Sequence, residues 1–495
     1  MYADDLLVFG VASIPNASKL KDALDLFANS SGLHVNLDKS TIIFNKNATF
    51  ECENSALLGI QRRDSFLTYL GLPISPSNLK HIHFSPLLTK VSALLDGWKV
   101  RFLSFVGRVQ YLKFTLANTI AYWIRWSILP KGYRATFSKL CARFLYHGNT
   151  NERKLQLFSW KLTASPKVFG GLGIPYVKAL YFGTSCAYIW RIYKNNTLFS
   201  TWVTAKYVSL WKPPPLAASK LWKQLCHTAQ VIKSRIGFAV APLCQFSMFW
   251  DPWCLGNFIS DLVEDWNFDN QTVANFIVNG VWCFPDFIPE GVRNFISGIT
   301  ILEQPDILLD GSNSPSLQNF TAILYANLNS VNWCKFILHK KYSMRFSCYS
   351  WMAVHGRFKC ADVLLARGIV VDPLFLFCKS FPESHQHLFF NCDFSFTVIP
   401  ELMPLFGRFF LRPTLLQAFD FLENVPAFNC LEKQFCFLLL NCTIYHLWRE
   451  RNNRCFSHTW RSPYTVGLVI KEAFLAKTKM WKNGDQLKDK FPGFF

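Results

Sequence analysis

Short apolar runs alternate with a helical pattern at the start of the chain. The apolar run at 6–9 is typical of a buried strand, and it directly follows the acidic pair at 4–5. Ser18 is a suitable N-cap for a helix with apolar residues at three-four spacing, and Gly32 is a natural stop. The segment "TIIF" at 41–44 then has strand character. This order predicts strand, helix, strand.

A hairpin and two helices are predicted next. "YLGLPIS" at 69–75 contains Gly and Pro and favours a tight hairpin. Ser85 and the following proline suit a helix start, with Gly97 near its end. A second helix begins near Ser104, with the apolar stripe Val109, Leu112, Leu116 and Ile120. Outside that stripe lie Arg108, Lys113 and Arg125, which suit either a nucleic-acid groove or an ordinary solvated face.

The remainder of the chain is less regular and then helical again. Residues 151–315 are rich in aromatic residues, and their pattern predicts no architecture. Helical spacing returns from about 318, and the segment at 435–456 predicts an amphipathic helix with a basic end. Within that end, "WRERNNR" at 448–454 suits either phosphate contacts or an exposed helix with an i, i+4 ion pair. The fold class we predict is α+β, mostly helical.

The composition indicates a strongly basic protein whose cysteines are reduced. The chain has 495 residues, which favours two to four domains, and 52 Lys and Arg against 32 Asp and Glu leave a net charge of +20. That balance suits a phosphate-rich partner, although a basic protein that binds nothing has the same composition. The 16 cysteines are scattered singly and are expected to be reduced. Without a signal peptide or a membrane-length apolar run, we expect a soluble intracellular protein, nuclear or cytoplasmic.

The acidic pair Asp4 and Asp5 allows two interpretations. Phosphoryl transfer by two divalent ions needs carboxylates from different strands, and Mg²⁺ prefers such oxygen ligands. An acidic pair in a turn could supply one side of that site. A plain Asx-turn explains the pair equally well.

The order of several motifs resembles a known family. "YADD" at 2–5, a helix, "SGLHVNLDKS" and then "YLGLPI" resemble the second half of the palm in reverse transcriptases of plant-type non-LTR (LINE) retrotransposons. "LSFVGRVQYLKFTLANTIAYW" at 103–123 looks like the thumb of these enzymes. The resemblance continues through "PKVFGGLGI" at 166–174, "FSMFWDPWC" at 246–254 and the Cys/His segment near 378–392.

The resemblance implies roles for single residues. Asp4 would be a magnesium-binding carboxylate, with Asp5 beside it and Tyr2 close to the primer terminus. Lys39 matches a lysine near the phosphates of the incoming nucleotide. RNA and DNA, as primer and template, are the implied partners, and the oligomeric state has no sequence signal.

The hairpin that contains Tyr69 and Gly71 matches the one that grips the primer end. The resemblance also divides the chain into a palm remnant, a helical thumb, a connecting region, a degenerate zinc-binding domain and a C-terminal helical region, at 1–75, 76–150, 151–317, 318–400 and 401–495.

One departure from the family concerns the catalytic site. The partner carboxylate, the fingers and the first part of the palm belong to motifs upstream of "YADD", and we expect that an internal Met has been taken as the start. The family enzyme is an RNA-directed DNA polymerase, but this chain alone is expected to be inactive and to keep nucleic-acid binding at most. Two alternatives stay open: a non-enzymatic nucleic-acid-binding or interaction protein derived from such an element, and a mis-started fragment of an active polymerase.

A second departure concerns zinc. "CKSFPESHQHLFFNC" offers Cys378, His387 and Cys392 as ligands. The family places another cysteine where this chain has Phe375, so the site is one ligand short. Either His385 or Cys360 completes the tetrahedron, or the metal is lost and the segment is packed by its own apolar residues.

Overall fold

The computed structural model describes residues 6–45, 47–63, 66–75, 79–97, 102–151, 155–195, 197–262, 270–285, 288–408, 411–479, 481 and 484–494. Helices predominate there, and the strands form small two-stranded sheets, which confirms a mostly helical α+β fold. The chain forms two compact units. The first contains 1–97, 116–140 and 177–321, and the second contains 98–115, 141–176 and 322–495.

The first unit contains all the described strands. Its α-helices are Ile14–Ser31, Glu51–Leu58, Ser85–Asp96, Ala117–Trp126, Val177–Lys194, Leu198–Tyr207, Lys220–Ile232 and Glu290–Ser297. Helices Lys131–His147 and Leu317–Ile323 begin in this unit and end in the second. Its 3-10 turns are His81–Phe84, Lys233–Arg235, Ile259–Asp261 and Val273–Phe276.

Each sheet of the first unit is a single strand pair. Thr41–Ile42 pairs in parallel with Gln61–Arg62. The antiparallel pairs are Leu67–Tyr69 with Leu72–Ile74, Ile236–Ala239 with Asp306–Leu309, and Ile277–Val278 with Val281–Trp282. Such short pairs derive their stability from the helices and loops around them.

The N-terminal prediction was partly wrong. Residues 6–9 form no strand, and Phe9 is largely exposed. An apolar run becomes a strand only when a neighbour pairs with its backbone, and hydropathy does not indicate that neighbour. The first helix begins earlier than predicted, because the Ser13 side chain accepts the Asn16 N–H and Ser18 lies inside the helix. Gly32 ends it in the left-handed conformation, as predicted.

The predicted hairpin and helices near residue 100 are confirmed. Leu70 and Gly71 both have positive φ, at 50° and 77°, as a two-residue type I′ turn requires. The Ser104 hydroxyl accepts the Gly107 N–H and caps the helix Phe105–Tyr111. All four stripe residues after it are buried, although the helix passes through a π-helical turn at Leu112–Leu116.

Asp251, in the segment "FSMFWDPWC", is a buried carboxylate of the first unit. Its Oδ1 accepts the hydroxyl protons of Ser209 and Tyr193, at 2.5 and 2.7 Å, and its Oδ2 accepts the Ser247 N–H at 2.7 Å. Burial raises the pKa of Asp251 to about 6, against the opposing effect of these hydrogen bonds. The carboxylate therefore joins the loops near 209 and 247 to the helix Val177–Lys194.

The second unit is built around one buried helix, Cys430–Asn452. The other α-helices are Phe105–Tyr111, Trp160–Ala164, Cys334–Ile337, Met344–Val354, Ala361–Leu365, Asp393–Leu402, Leu415–Glu423 and Pro463–Thr478. Shorter 3-10 or π-helical turns are Lys167–Phe169, His387–Asn391, Pro404–Arg408, Asn453–Ser457, Gly484–Leu487 and Pro492–Phe494. The π-helical turn Leu112–Leu116 begins in this unit and ends in the first.

The predicted amphipathic character of the segment at 435–456 was wrong. Every residue of 435–444 is buried, so all sides of this part of the helix are covered. A helix that is apolar all round belongs in the centre of a core. Its neighbours include Met344–Val354, which is distant from it in sequence, and Pro463–Thr478, the next α-helix along the chain.

We predict that replacing Asp251 with Asn makes the stability of the protein less dependent on pH. Because its folded pKa is above the unfolded value, Asp251 stabilises the folded state below about pH 4, and this contribution is lost as the pH rises through about 6. The free energy of unfolding of Asp251→Asn, measured relative to that of the original protein, should therefore rise by about 3 kcal/mol between pH 4 and pH 8. Urea unfolding of both proteins across this range measures the difference, and a constant difference would contradict the assignment.

Candidate metal centre

A tight hairpin presents Cys378. Phe375 N–H donates to the Phe381 carbonyl at 2.9 Å, and Lys379 N–H donates to the Phe375 carbonyl at 2.8 Å. Leu374 and Pro382 form an antiparallel bridge below these bonds. Lys379 has a φ of 54°, a left-handed conformation that turns the chain directly after Cys378. The thiol is thus held by backbone hydrogen bonds on both sides of the turn.

His387 and Cys392 come from the next segment of the chain. His387 opens the π-helical turn His387–Asn391, and its N–H donates to the Ser384 hydroxyl at 3.1 Å. Cys392 N–H donates to the His387 carbonyl at 3.0 Å, and Cys392 is the N-cap of Asp393–Leu402. The wide π turn therefore brings two side chains five positions apart to the same place.

The three side chains converge. The Cys378 Sγ lies 3.3 Å from the His387 Nε2, and the ligand atoms of all three residues lie within 4.8 Å of one another. In a tetrahedral zinc site a sulfur and a nitrogen ligand stand about 3.5 Å apart. These donors therefore match the size and chemistry of a zinc site.

The surroundings of Cys392 and His387 shift the pKa values of both side chains. Burial raises the pKa of the Cys392 thiol to about 11; N–H groups of Phe394 and Ser395 oppose the shift, and Cys378 adds to it. Burial, followed by the charge of Arg412, lowers the pKa of His387. A neutral imidazole is the form that binds metal, whereas each thiol must lose a proton when zinc binds.

Phe375 stands beside the cluster. Its side chain is fully buried, and its ring meets the His387 ring edge-on, with centroids 5.2 Å apart and planes at 84°. An apolar ring cannot coordinate zinc. Within the described residues, this cluster therefore offers a zinc ion three protein ligands.

His385 and Cys360 were expected as alternative fourth ligands. The structure instead groups them with Asp362, apart from the first cluster. His385 Nε2 accepts the Phe358 N–H at 2.8 Å, and its ring stacks on the Phe358 ring with an angle of 1° between the planes. The Nε2 lone pair of His385 is thus already occupied by this hydrogen bond.

A buried ion pair lies beside Cys360 and His385. Arg451 donates from Nε and Nη2 to the two carboxylate oxygens of Glu383, at 2.6 and 2.7 Å, and the same carboxylate accepts the Ala361 N–H at 2.8 Å. Both side chains are less than 10% exposed. Although burial alone would lower it, the pKa of Arg451 is raised by these bonds and the charge of Glu383.

A second buried pair lies on the same helix end. Arg454 Nε donates to Glu450 at 2.9 Å, and the Arg454 guanidinium lies over the rings of Phe377 and Phe394, at 4.5 and 4.4 Å. The expected i, i+4 pair in "WRERNNR" is present, but it is buried rather than exposed. Its spacing was visible in the sequence, whereas the 68-residue separation of Glu383 and Arg451 carried no signal.

Three of the six residues implied in polymerase chemistry, Lys39, Tyr69 and Gly71, lie within the described residues. Tyr2, Asp4 and Asp5 lie outside the described residues. Lys39 is exposed in a turn, where its N–H donates to Asn36 Oδ1 at 3.0 Å. Tyr69 and Gly71 belong to the hairpin described above.

Comparisons with known proteins bear on this segment. Residues 317–398, which include all three ligands, match the family described as zinc-binding in reverse transcriptase. This part of the chain resembles a reverse-transcriptase zinc-binding region. A protein of Arabidopsis thaliana named "Putative ribonuclease H protein" is 24% identical over 199 residues, which make up 39% of this chain. The match spans about a third, 32%, of that protein's length.

Within the part of the chain that the structure describes, no helix combines the length and apolar character needed to cross a bilayer.

We predict that the purified chain binds one zinc ion and that His387→Ala abolishes binding. Removing the imidazole leaves two thiols, too few ligands for a stable site. Elemental analysis after dialysis measures the zinc content of both proteins, and the absorption spectrum of the cobalt-substituted protein reports on the metal ligands. Cys360→Ser is the matched control and should retain the metal, whereas equal loss in both variants would place the site elsewhere.

Phe375→Cys should strengthen zinc binding by on the order of tenfold or more, because it supplies a fourth ligand. Competition with a chelator measures the change in affinity. Unchanged affinity would mean that this position does not face the ion.

Glu383→Gln should destabilise the protein by about 3–5 kcal/mol, because it leaves Arg451 buried without a counter-charge. Asp310→Asn is the control: it removes an exposed pair with Arg235, 3.0 Å long, and should cost less than about 1 kcal/mol. Urea unfolding compares the two. Similar small losses would show that the buried pair contributes little.

Proposed function

We propose that this chain derives from the reverse transcriptase of a plant-type non-LTR retrotransposon and that it binds nucleic acid. The match of residues 317–398 to the zinc-binding family of reverse transcriptases carries the proposal. The motifs from "YADD" to "FSMFWDPWC" support it by their order. The proposal includes the division of the chain into a palm remnant, a helical thumb, a connecting region, a degenerate zinc-binding domain and a C-terminal helical region, at 1–75, 76–150, 151–317, 318–400 and 401–495.

The surface around the metal cluster supports contact with nucleic acid. Lys379 follows Cys378, and its ammonium lies 5.3 Å from the Trp460 ring centroid. Phe381 and Trp460 are 61% and 51% exposed. Exposed aromatic rings offer stacking faces to unpaired bases, while adjacent cations neutralise phosphates. Zinc would hold the hairpin that presents Lys379 and Phe381 in one conformation.

The net charge of +20 supports the same partner class. Each phosphate that Lys or Arg neutralises releases counterions, so affinity should fall steeply with salt. The relative named a ribonuclease H protein fits a nucleic-acid context. Asp4 and Asp5 as magnesium ligands, with Tyr2, Lys39, Tyr69 and Gly71 near primer and nucleotide, are part of this proposal.

A salt series of binding to primer-template RNA–DNA, with and without Mg²⁺, tests the proposal. We expect tight binding that does not depend on Mg²⁺. The logarithm of the binding constant should fall linearly with the logarithm of the salt concentration. Absence of binding at low salt would overturn the proposed function. Added nucleotides make the same mixture an extension assay: extension would identify an active polymerase, and binding without extension would favour a non-enzymatic nucleic-acid-binding protein.

A further inference from the structure

Two lysines of the second unit lie close to Gly173. Lys113 lies in the π-helical turn Leu112–Leu116, and Lys167 opens the 3-10 turn Lys167–Phe169. A Cβ added to Gly173 would lie 3.9 Å from the Lys113 Nζ and 3.5 Å from the Lys167 Cγ. Because Gly173 has no side chain, the position that its Cβ would occupy beside both lysines is open. Such π turns occur often at functional sites.

The glycine-rich segment "PKVFGGLGI" gives this place a rigid frame. The N–H groups of residues 170–173 each donate to a carbonyl of the same segment, of the helix before it or of its C-cap Ser165, at 2.9–3.2 Å. A Cβ on Gly171 would lie 1.9 Å from the Ser165 carbonyl oxygen, so only glycine fits there. Because these backbone amides are already used, an anion here would be bound by the lysines and not by the loop backbone.

The charges at this place are not balanced. Within the part of the chain that the structure describes, neither ammonium has a carboxylate partner. Lys167 lies over the ring of Tyr342, with its Nζ 4.7 Å from the centroid. Burial, followed by the charge of Lys167, lowers the pKa of Lys113 to about 8. Two half-buried like charges repel each other, and an anion bound between them would remove that cost.

We propose that Lys113 and Lys167 bind a backbone phosphate of a nucleic-acid strand beside Gly173. The inference rests on the proposed function and assigns it a specific contact. Lysine ammoniums act as point charges, without the fixed donor geometry that recognises one particular ligand. Two such charges beside backbone amides that are already hydrogen-bonded suit a contact that positions a strand without reading its sequence. The segment at 166–174 has no role in the zinc site, so this would be a separate contact.

The first experiment compares nucleic-acid binding by the full chain and by two double variants. Lys113→Gln with Lys167→Gln should weaken binding to the RNA–DNA primer-template on the order of tenfold at low salt and reduce the salt slope by about 1. Lys359→Gln with Lys477→Gln removes the same charge from exposed positions of the same unit and should leave the slope unchanged. Equal effects of both pairs would overturn the site. If the original chain does not bind at all, the proposed function itself fails.

The second experiment avoids substitutions and therefore any folding defect. Acylation of the original protein at pH 8, followed by mass spectrometry, measures the reactivity of each lysine with and without ligand. Protection of Lys113 and Lys167 by the oligonucleotide, with or without protection by inorganic phosphate, supports the proposal. The proposal would be overturned if inorganic phosphate protected the two lysines and the oligonucleotide did not. It would also be overturned if the chain bound the oligonucleotide and neither lysine was protected.

Discussion

The second unit depends on a pair of opposite charges that are both removed from water. Glu383 precedes the candidate metal ligands His387 and Cys392, and Arg451 lies in the last turn of the central helix. Their bidentate contact therefore joins two segments far apart in sequence. Burying either charge alone would cost several kcal/mol, and only close hydrogen bonding to the other makes the arrangement tolerable. The position of the Cys/His segment is therefore set by this contact as well as by any metal.

Because of this contact, the folding of the Cys/His segment does not depend on metal binding alone. Small zinc domains commonly unfold without metal, because the ligands are their main contacts. Here the segment also packs into the core through Leu388, Phe389 and Phe390 and is tied to the helix Cys430–Asn452 by Glu383. A site with three protein ligands can then persist, since the surrounding core already brings Cys378, His387 and Cys392 together. Phe375 fills its own place in that core.

Positive charge is used in two different ways in this protein. Arg451 and Arg454 are buried, paired with Glu383 and Glu450, and act as structural residues. Lys113 and Lys167 are also withdrawn from water but face no carboxylate in the described residues, so their charge is available to an external anion. Composition alone treats these four residues alike. Their different roles follow from what stands opposite each side chain.

Local patterns determined much of this protein. Ser104 as a cap, Gly32 as a stop, the hairpin turn at Gly71 and the buried stripe from Val109 to Ile120 depend only on neighbours within a few residues. The choice of Cys378, His387 and Cys392 as candidate ligands likewise depended on spacing. What tertiary structure alone decided was pairing over long distances: the unpaired run at 6–9, the full burial of 435–444, the contact of Glu383 with Arg451 and the separation of His385 from the metal cluster. Each requires partners that hydropathy and spacing cannot identify, because burial and hydrogen bonding are properties of the folded surroundings.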